Sequence, residues 1–577
     1  MTSPKSRRWR DGARDVTFTF RDLVFLAIGL TLCAVAFILD NAEPRGRIFW
    51  HLLTTHDLPA GWLMLGILAV GYALVIRGAG DSIRVEPMLL ALDRQRYLVA
   101  IVLWAALCAG SVWIYRNHPL SMDEYAAAFQ AKVFAAGALH GQFPRDLLDQ
   151  LIPRGFQNHF LMVNRETGAV FSAYWPGFSI LLAPFGLLGI PWACNPTIVA
   201  GSLLLIGRVA RDLSASPLAP GWAMLFALGS PAFVANGITY YAMPAHLLFN
   251  LGFAWLLLAP SPQRLLVAGL VGGFALALHN PLPHVVFAAP WIFWLATRRR
   301  GGLRKLAWLA AGYLPLGLVL GVGWSLWQQQ TLRAGVPAAA MMQAVAAAAA
   351  PGLGERLDGL LRAYLGVLQW PTEAIVYARL AGLAKLWLWA SPMMLLLAWL
   401  GIRGERHAGL RLLGASALLT FLAYFAIRFD QGHGWGYRYF HSAWGVLPVL
   451  AALGAVKLAG LFGDKRAPAQ LAILVLLGLL AANALRLAQM GDFMAQHLAQ
   501  FPPRLEAERR VVLHNGRGYY GPDLIQNDPW LRGNQAVFLV TTPTDAERLK
   551  GRFAGIYACA TNGFGETCAT AAARRER

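Results

Sequence analysis

Charge is scarce in this 577-residue chain: 14% of residues are charged, against 57% hydrophobic. A soluble domain of this length needs a larger charged surface, so an all-soluble architecture is excluded. Acids are scarcer than bases, with 30 Asp and Glu against 50 Lys and Arg, for a net charge of +20. The basic excess forms no patch. It sits in short connectors at alternate ends of apolar runs, the positive-inside pattern of a membrane protein, and this argues against nucleic acid as a partner. Cysteine is sparse too. Cys33, Cys108 and Cys194 lie in apolar segments, Cys559 and Cys568 lie in a polar tail, and no spacing suits zinc. The basic start MTSPKSRRWRDGARD precedes an apolar run from about Leu23 to Leu39 with no small-residue cleavage site soon after. It reads as an uncleaved first span. No internal repeat is evident.

Long apolar runs are plentiful. They fall at roughly 22–39, 60–77, 97–115, 193–209, 219–236, 243–260, 264–280, 283–297, 306–327, 380–402, 409–427, 440–460 and 468–488. One more, at about 176–190, decides the topology. With a cytoplasmic N-terminus, counting it as a span places Arg208, Arg211 and the segment Arg298–Lys305 outside. Counted as a surface-lying or partly inserted segment, it leaves every strongly basic connector inside, including Arg403, Arg406, Arg411, Lys457, Lys465 and Arg466. The second count predicts an all-α polytopic membrane protein of about 13 transmembrane helices with external amphipathic helices and an external C-terminus.

Four regions follow: 1–115, a cytoplasmic tail and three spans; 116–192, an external catalytic loop with surface helices; 193–488, the transmembrane bundle; and 489–577, a small external α/β cap. The cap has β-like runs at Val511–His514 and Ala536–Thr541 and a helix-like DAERLKGRF. The low-complexity stretch Ala338–Ala350 reads as a helix at the membrane surface.

The inner connectors lack acid–base constellations, so any chemistry is expected outside. The informative segment is Ser121-Met122-Asp123-Glu124-Tyr125, just outside the third span. Tyr125, Phe129 and Val133 recur on one face of the helix that follows, which suits it to lie along the membrane surface. One reading makes Ser121 and Glu124 a capping box and Asp123 a favourable charge at the helix N-terminus. The other makes Asp123 a general base on an acceptor hydroxyl, facing cations that hold a donor phosphate. The external loops offer Lys132, Arg145, Arg154, His159, Arg165, His246, Arg428, His433, Arg438 and His441, each of which is by itself equally a solvated loop charge or a headgroup contact.

These residues give the chain a resemblance to the superfamily C glycosyltransferases, the integral-membrane group that includes protein O-mannosyltransferases and the lipid A aminoarabinose transferase. The similarity is strongest to a poorly assigned bacterial branch. It starts at Asp123-Glu124, where that family carries an external acidic pair. It continues through Gly168-AVFSAYWPGFSILLAPFGLLG, with Trp175 in place of the first proline of a Tyr-Pro-Pro-Gly segment. Pro191–Pro196, the stretch ending at His246, and Gly434–Pro448 follow, with Tyr437-Arg438 where the pattern has Pro-Arg. The resemblance implies a polyprenyl-phosphate sugar donor, inversion at the sugar carbon, and a bacterial inner membrane with the site facing outward. The acceptor is a glycan, lipid or protein. By the resemblance Asp123 carries over as base or acceptor-orienting acid and Arg438 as a donor-phosphate contact. From their placement, Glu124 joins Asp123 as a candidate catalytic acid, and Lys132, His246 and His433 join Arg438 as candidate donor-phosphate ligands. No metal ligand set is specified, although a divalent ion is compatible. Three spans precede the acidic pair where many members have one, so the chain carries two extra.

A transporter or flippase of lipid-linked glycans is the alternative, and a purely structural assembly factor a third reading. Transporters place ionisable groups near the bilayer midplane. Here they gather at the outer boundary, with His279-Asn280-Pro281 and Lys385 near predicted outer span ends, where a lysine snorkels. Cys559 and Cys568, separated by a Gly-containing turn, are expected to pair in an oxidising compartment.

Overall fold

The protein is described by a computed structural model covering residues 19–41, 48–81, 83–298, 301–335, 368–432, 434–501, 510–553, 555–562 and 565–570, with 354, 359 and 366. The basic N-terminal stretch, the Ala338–Ala350 helix expectation and His433 lie outside the described residues.

Each apolar run coincides with one helix or a broken pair. Seven helices are long and apolar enough to cross a bilayer unaided: Phe20–Asp40, Ile48–Ile76, Arg96–Trp113, Pro191–Leu213, Gly302–Arg333, Ala408–Ala426 and Ala467–Leu498. Arg438–Trp444 and Val446–Phe462 form another apolar pair, bent by 57°. The chain is a multi-pass, mostly helical membrane protein. Helix starts obey local rules: Thr19 and Asp22 form a reciprocal capping box at the first span, with Thr19 N–H to Asp22 Oδ2 at 2.8 Å. Helices Pro262–Ala277 and Gly302–Leu316 cross through glycine, where a Cβ on Gly269 would stand 2.2 Å from the Leu309 carbonyl oxygen.

The disputed segment forms the helix Gly177–Leu187 of 11 residues, about 16 Å long, roughly half a hydrocarbon core. Ion pairs join the basic connectors to one another: Arg211 with Asp93, Arg466 with Asp81 at 2.5 Å, and Lys457 with Glu405 at 2.5 Å. The Asp93–Arg211 pair puts the connectors after the second and fourth runs on one face, as expected if Gly177–Leu187 does not cross.

Two broken helices meet inside the bundle. The run 380–402, expected as one span, is two helices, Glu373–Leu388 and Met394–Ile402. Pro392 supplies no N–H, and Met393 turns left-handed at φ 65°. The opposing break lies between Ala219–Leu228 and Pro231–Asn236. Each break satisfies the other: the Ser391 N–H donates to Ser230 Oγ at 2.7 Å and the Ala232 N–H to the Trp389 carbonyl at 3.0 Å. Unwound backbone survives at membrane depth only with such partners.

Below this junction Lys385 does not snorkel. It is buried and paired with Asp57, which also ion-pairs with Arg486 at 2.8 Å and accepts from the Trp389 indole at 2.5 Å. A π-helical turn at Leu53–Asp57 rotates Asp57 into the bundle. Sequence spacing shows that Lys385 lies near a run end, but not that a carboxylate waits beside it.

On the face away from the basic connectors stand two sheets. Strands β1 (Gly141–Gln142), β2 (Leu161–Val163) and β3 (Ala169–Ser172) form an antiparallel sheet in the order β1-β3-β2. The cap contains β4 (Arg510–His514), β5 (Gln535–Leu539), β6 (Tyr557–Asn562) and β7 (Gly565–Thr570), in the order β5-β4-β7-β6, with β4 and β5 parallel. The helix Pro543–Arg552 follows β5. The helix of the last run continues to Leu498, so the polar composition shift near 489 falls inside a helix. Cys559 and Cys568 face each other across β6 and β7 and are disulfide-bonded.

Helix Met122–Ala135 is corrected in one respect. Its Tyr125–Phe129–Val133 face is not laid on lipid; it is buried against Leu513, Phe538 and Leu549 of the cap, while Ala127 and Ala131 pack on the bundle. A chain read alone shows an apolar stripe but not which apolar surface covers it.

Candidate active site

Helix Met122–Ala135 begins where four chain segments meet. Asp123 is its second residue, and its carboxylate keeps 21% side-chain exposure. Arg438, at the start of helix Arg438–Trp444, donates from Nη1 to Asp123 Oδ2 at 2.9 Å. The Tyr174 hydroxyl donates to Oδ1, and the Tyr174 ring packs on His279 with centroids 3.7 Å apart. The Trp175 N–H donates to the His279 carbonyl at 2.9 Å, fixing the Tyr174 turn on the turn between Pro262–Ala277 and Leu282–Ala296.

Burial works to raise the Asp123 pKa. The Arg438 charge, His279 and the Tyr174 and Arg438 hydrogen bonds outweigh it and hold the carboxyl below its ordinary value. Asp123 is therefore ionised at neutral pH. Burial drops the His279 pKa to about 4, so its ring is neutral. Burial followed by the Asp123 charge pushes the Tyr174 phenol up, which keeps it a donor.

Arg438 is held from behind. Its N–H donates to Gln431 Oε1 at 3.0 Å, its Nη2 to the Gln431 carbonyl, and its guanidinium lies 4.6 Å from the centre of the Tyr241 ring. Its Nε has no hydrogen-bond partner. Arg379, buried, braces the loop that precedes Gln431 through the carbonyls of Tyr424 at 2.8 Å, Ile427 at 3.0 Å and Phe429 at 2.6 Å. Gly434 has φ 155°, and a Cβ there would stand 2.3 Å from Arg438 Cγ. Gly434→Ala is accordingly expected to push the guanidinium off Asp123. It should cost about 1–2 kcal/mol in melting experiments, and more in any activity that uses the pair.

A second acid arrives from the cap. Asp523 Oδ1 accepts the Met122 N–H at 2.7 Å, an orphan donor of the first helical turn. Burial lifts its pKa to about 7 against that bond, and the Asp123 charge adds to the rise.

Glu124 is corrected. It is fully buried, and four donors converge on its oxygens: the Tyr115 hydroxyl, whose one proton is shared between both oxygens at 3.0 Å, and the N–H groups of Leu120 at 2.7 Å, Ser121 at 3.2 Å and Tyr240 at 2.8 Å. Four donors fill a carboxylate, so Glu124 clamps two loops rather than meeting substrate. Burial raises its pKa to about 7 in spite of these bonds.

Lys132 is exposed, nine residues and about 14 Å along the helix from Asp123, and outside the cluster. His246 is buried in helix Met243–Leu257 with neither ring nitrogen hydrogen-bonded. The other cations disperse. Arg154 and Arg165 clamp Asp149, each at 2.7 Å; Arg145 donates to the Glu166 carbonyl at 2.9 Å; Arg428 covers the Phe429 ring; His159 lies beside the Gln157 carbonyl; and His441 stacks on Trp444. Local acids, carbonyls and rings absorb them. Tyr174 lies in a segment that the family resemblance singles out. Asp523 and Arg379 carry no local sequence signal.

The fold has a solved counterpart. The crystal structure of ArnT from Cupriavidus metallidurans bound to undecaprenyl phosphate superposes with a TM-score of 0.52 at 12% identity, covering 83% of this chain and 98% of that one. The chain has the ArnT fold. The apo ArnT structure from the same organism scores 0.49 at 12% identity over the same shares. No protein-family profile and no curated protein sequence matches the chain. The resemblance to ArnT is thus one of fold, carried by backbone topology rather than by identity.

Proposed function

We propose that this chain is a membrane glycosyltransferase that moves a sugar from a polyprenyl-phosphate donor to an acceptor hydroxyl on the outer face of a bacterial inner membrane. The observation that carries the reading is the Asp123–Arg438 pair. It is an ionised carboxylate with 21% of its side chain exposed, beside a nearly buried guanidinium. The ArnT fold supports it, and so does the undecaprenyl phosphate seen on ArnT itself. In this reading Asp123 accepts the proton of the acceptor hydroxyl, or orients that hydroxyl, as its oxygen bonds to the anomeric carbon. The bond from that carbon to phosphate breaks, and polyprenyl phosphate departs with the electron pair. Arg438 meets the growing phosphate charge with its guanidinium. Tyr174 and His279 hold Asp123, and Asp523 fixes the helix start. Thirteen crossings with an external cap complete the proposed topology.

The transport alternative finds its best support in Asp57, Lys385 and Arg486, charges within the bundle. Their side chains are 0–2% exposed and paired with one another, which is the state of a packing strut rather than of a wet pathway.

Arg438→Ala is expected to raise the KM for a polyprenyl-phosphate-linked sugar by about 10-fold or more, the loss of a charge-assisted phosphate contact. Turnover of such donors by membranes carrying the variant measures this. An unchanged donor response removes Arg438 from the site.

A further inference from the structure

Away from the Asp123–Arg438 pair, the segment Ile48–Asp57, the end of helix Asn483–Leu498 and the cap enclose a cavity of about 400 Å³. Its volume is that of a small-molecule site. We propose that it binds one or two neutral sugar rings of the acceptor glycan, an inference that rests on the transferase reading above.

The lining specifies the chemistry. One helix face presents Gln489, Asp492 and Gln496, Gln500 follows just past the helix end, and His51, His56 and His497 add imidazoles. Among the described residues, no lysine or arginine lines the cavity. The nearby Arg486 is committed to Asp57, to the His56 carbonyl at 2.8 Å and to Gln489 Oε1 at 3.2 Å. A phosphate or an acidic sugar would find no counter-charge there. Amides and a carboxylate both suit hydroxyl groups, each of which donates and accepts. Phe493 and Tyr519 supply the flat apolar faces on which the C–H side of a sugar ring rests, and Tyr519 is held by stacking on His51 with centroids 4.3 Å apart.

The side chains open to the cavity are those of Asp492 and Gln496, both exposed. His497, 3% exposed, and Gln500, 5% exposed, lie deeper, and their unpartnered polar atoms are buried beneath the wall rather than turned into it.

Position links the cavity to the reaction. Tyr519 lines it, and Asp523, four residues on, touches the N-terminus of the Asp123 helix. Four residues span at most about 14 Å. A glycan seated by its distal rings in the cavity reaches toward Asp123 with the next.

The test is saturation-transfer NMR on the purified full-length protein in detergent. The probes are glucose, galactose, mannose, N-acetylglucosamine and their disaccharides, with glucuronate and inorganic phosphate as counter-probes. A neutral saccharide is expected to bind, more weakly by about 5-fold in Gln496→Leu and by about 20-fold in Asp492→Leu, as lost neutral and charged hydrogen bonds dictate. Both side chains are exposed on the helix surface, so the variants fold. The proposal is overturned if no neutral saccharide binds, if neither substitution weakens binding, or if glucuronate or phosphate binds more tightly. The transferase reading fails separately, on donor turnover, whatever the cavity binds.

Discussion

Asp123→Asn is expected to lower sugar transfer by about 10²–10⁴-fold, the usual range for loss of a general base. Asparagine keeps the size and one acceptor for Tyr174 or Arg438 but removes the charge. Arg438, with 7% side-chain exposure, then lacks its ion partner, and stability should fall by about 1–3 kcal/mol. That is too little to unfold a bundle with so extensive a core, so expression should persist. The folded-state pKa of Asp123 is depressed, so its contribution to stability is present above the ordinary carboxylate pKa. It is lost as pH falls through the lower folded value. The variant should lack that acid-side slope. Donor turnover and pH-dependent melting measure the two effects. Normal turnover in the variant would reduce Asp123 to a helix-capping residue and sink the mechanism.

Asp57→Ala should cause the largest loss of stability, about 3–5 kcal/mol. The cost does not come from the worth of one ion pair. It comes from leaving Lys385 and Arg486 buried without their shared carboxylate, and from freeing the Trp389 indole beside the paired helix breaks. Lys385→Met should cost less, because Asp57 keeps Arg486 and Trp389. Thermal unfolding in detergent of both variants checks the order. An Asp57→Ala protein within about 0.5 kcal/mol of the parent would show that the triad does not pin the N-terminal hairpin to the bundle.

Much of the architecture is a local property of the chain. Apolar runs must bury their backbone hydrogen bonds as helices, so the run positions survive into the structure almost unchanged. The basic connectors gather on one face, where Arg211 meets Asp93 and Arg466 meets Asp81, because charge was already segregated along the sequence. Strands β4 and β5 of the cap and its helix follow from short-range pattern, whereas β6 and β7 do not; Cys559 and Cys568 pair across the hairpin those two form. At the site, Asp123 and Arg438 stand out from their surroundings in the sequence, and the structure brings those two together. It does not bring Lys132 to them, because helical rise carries that residue about 14 Å away.

What depends on several distant segments at once is decided by tertiary packing alone. Glu124 looks identical to a catalytic acid until four donors from two loops converge on it. Lys385 looks like a lysine at a span end until a π-helical turn 328 residues away turns Asp57 inward. The face of the Asp123 helix looks lipid-facing until the cap covers it, and Asp523 reaches Met122 across 401 residues. Periodicity and local charge report what a segment needs buried or paired. The partner that meets the need is chosen by packing geometry, which no single segment encodes.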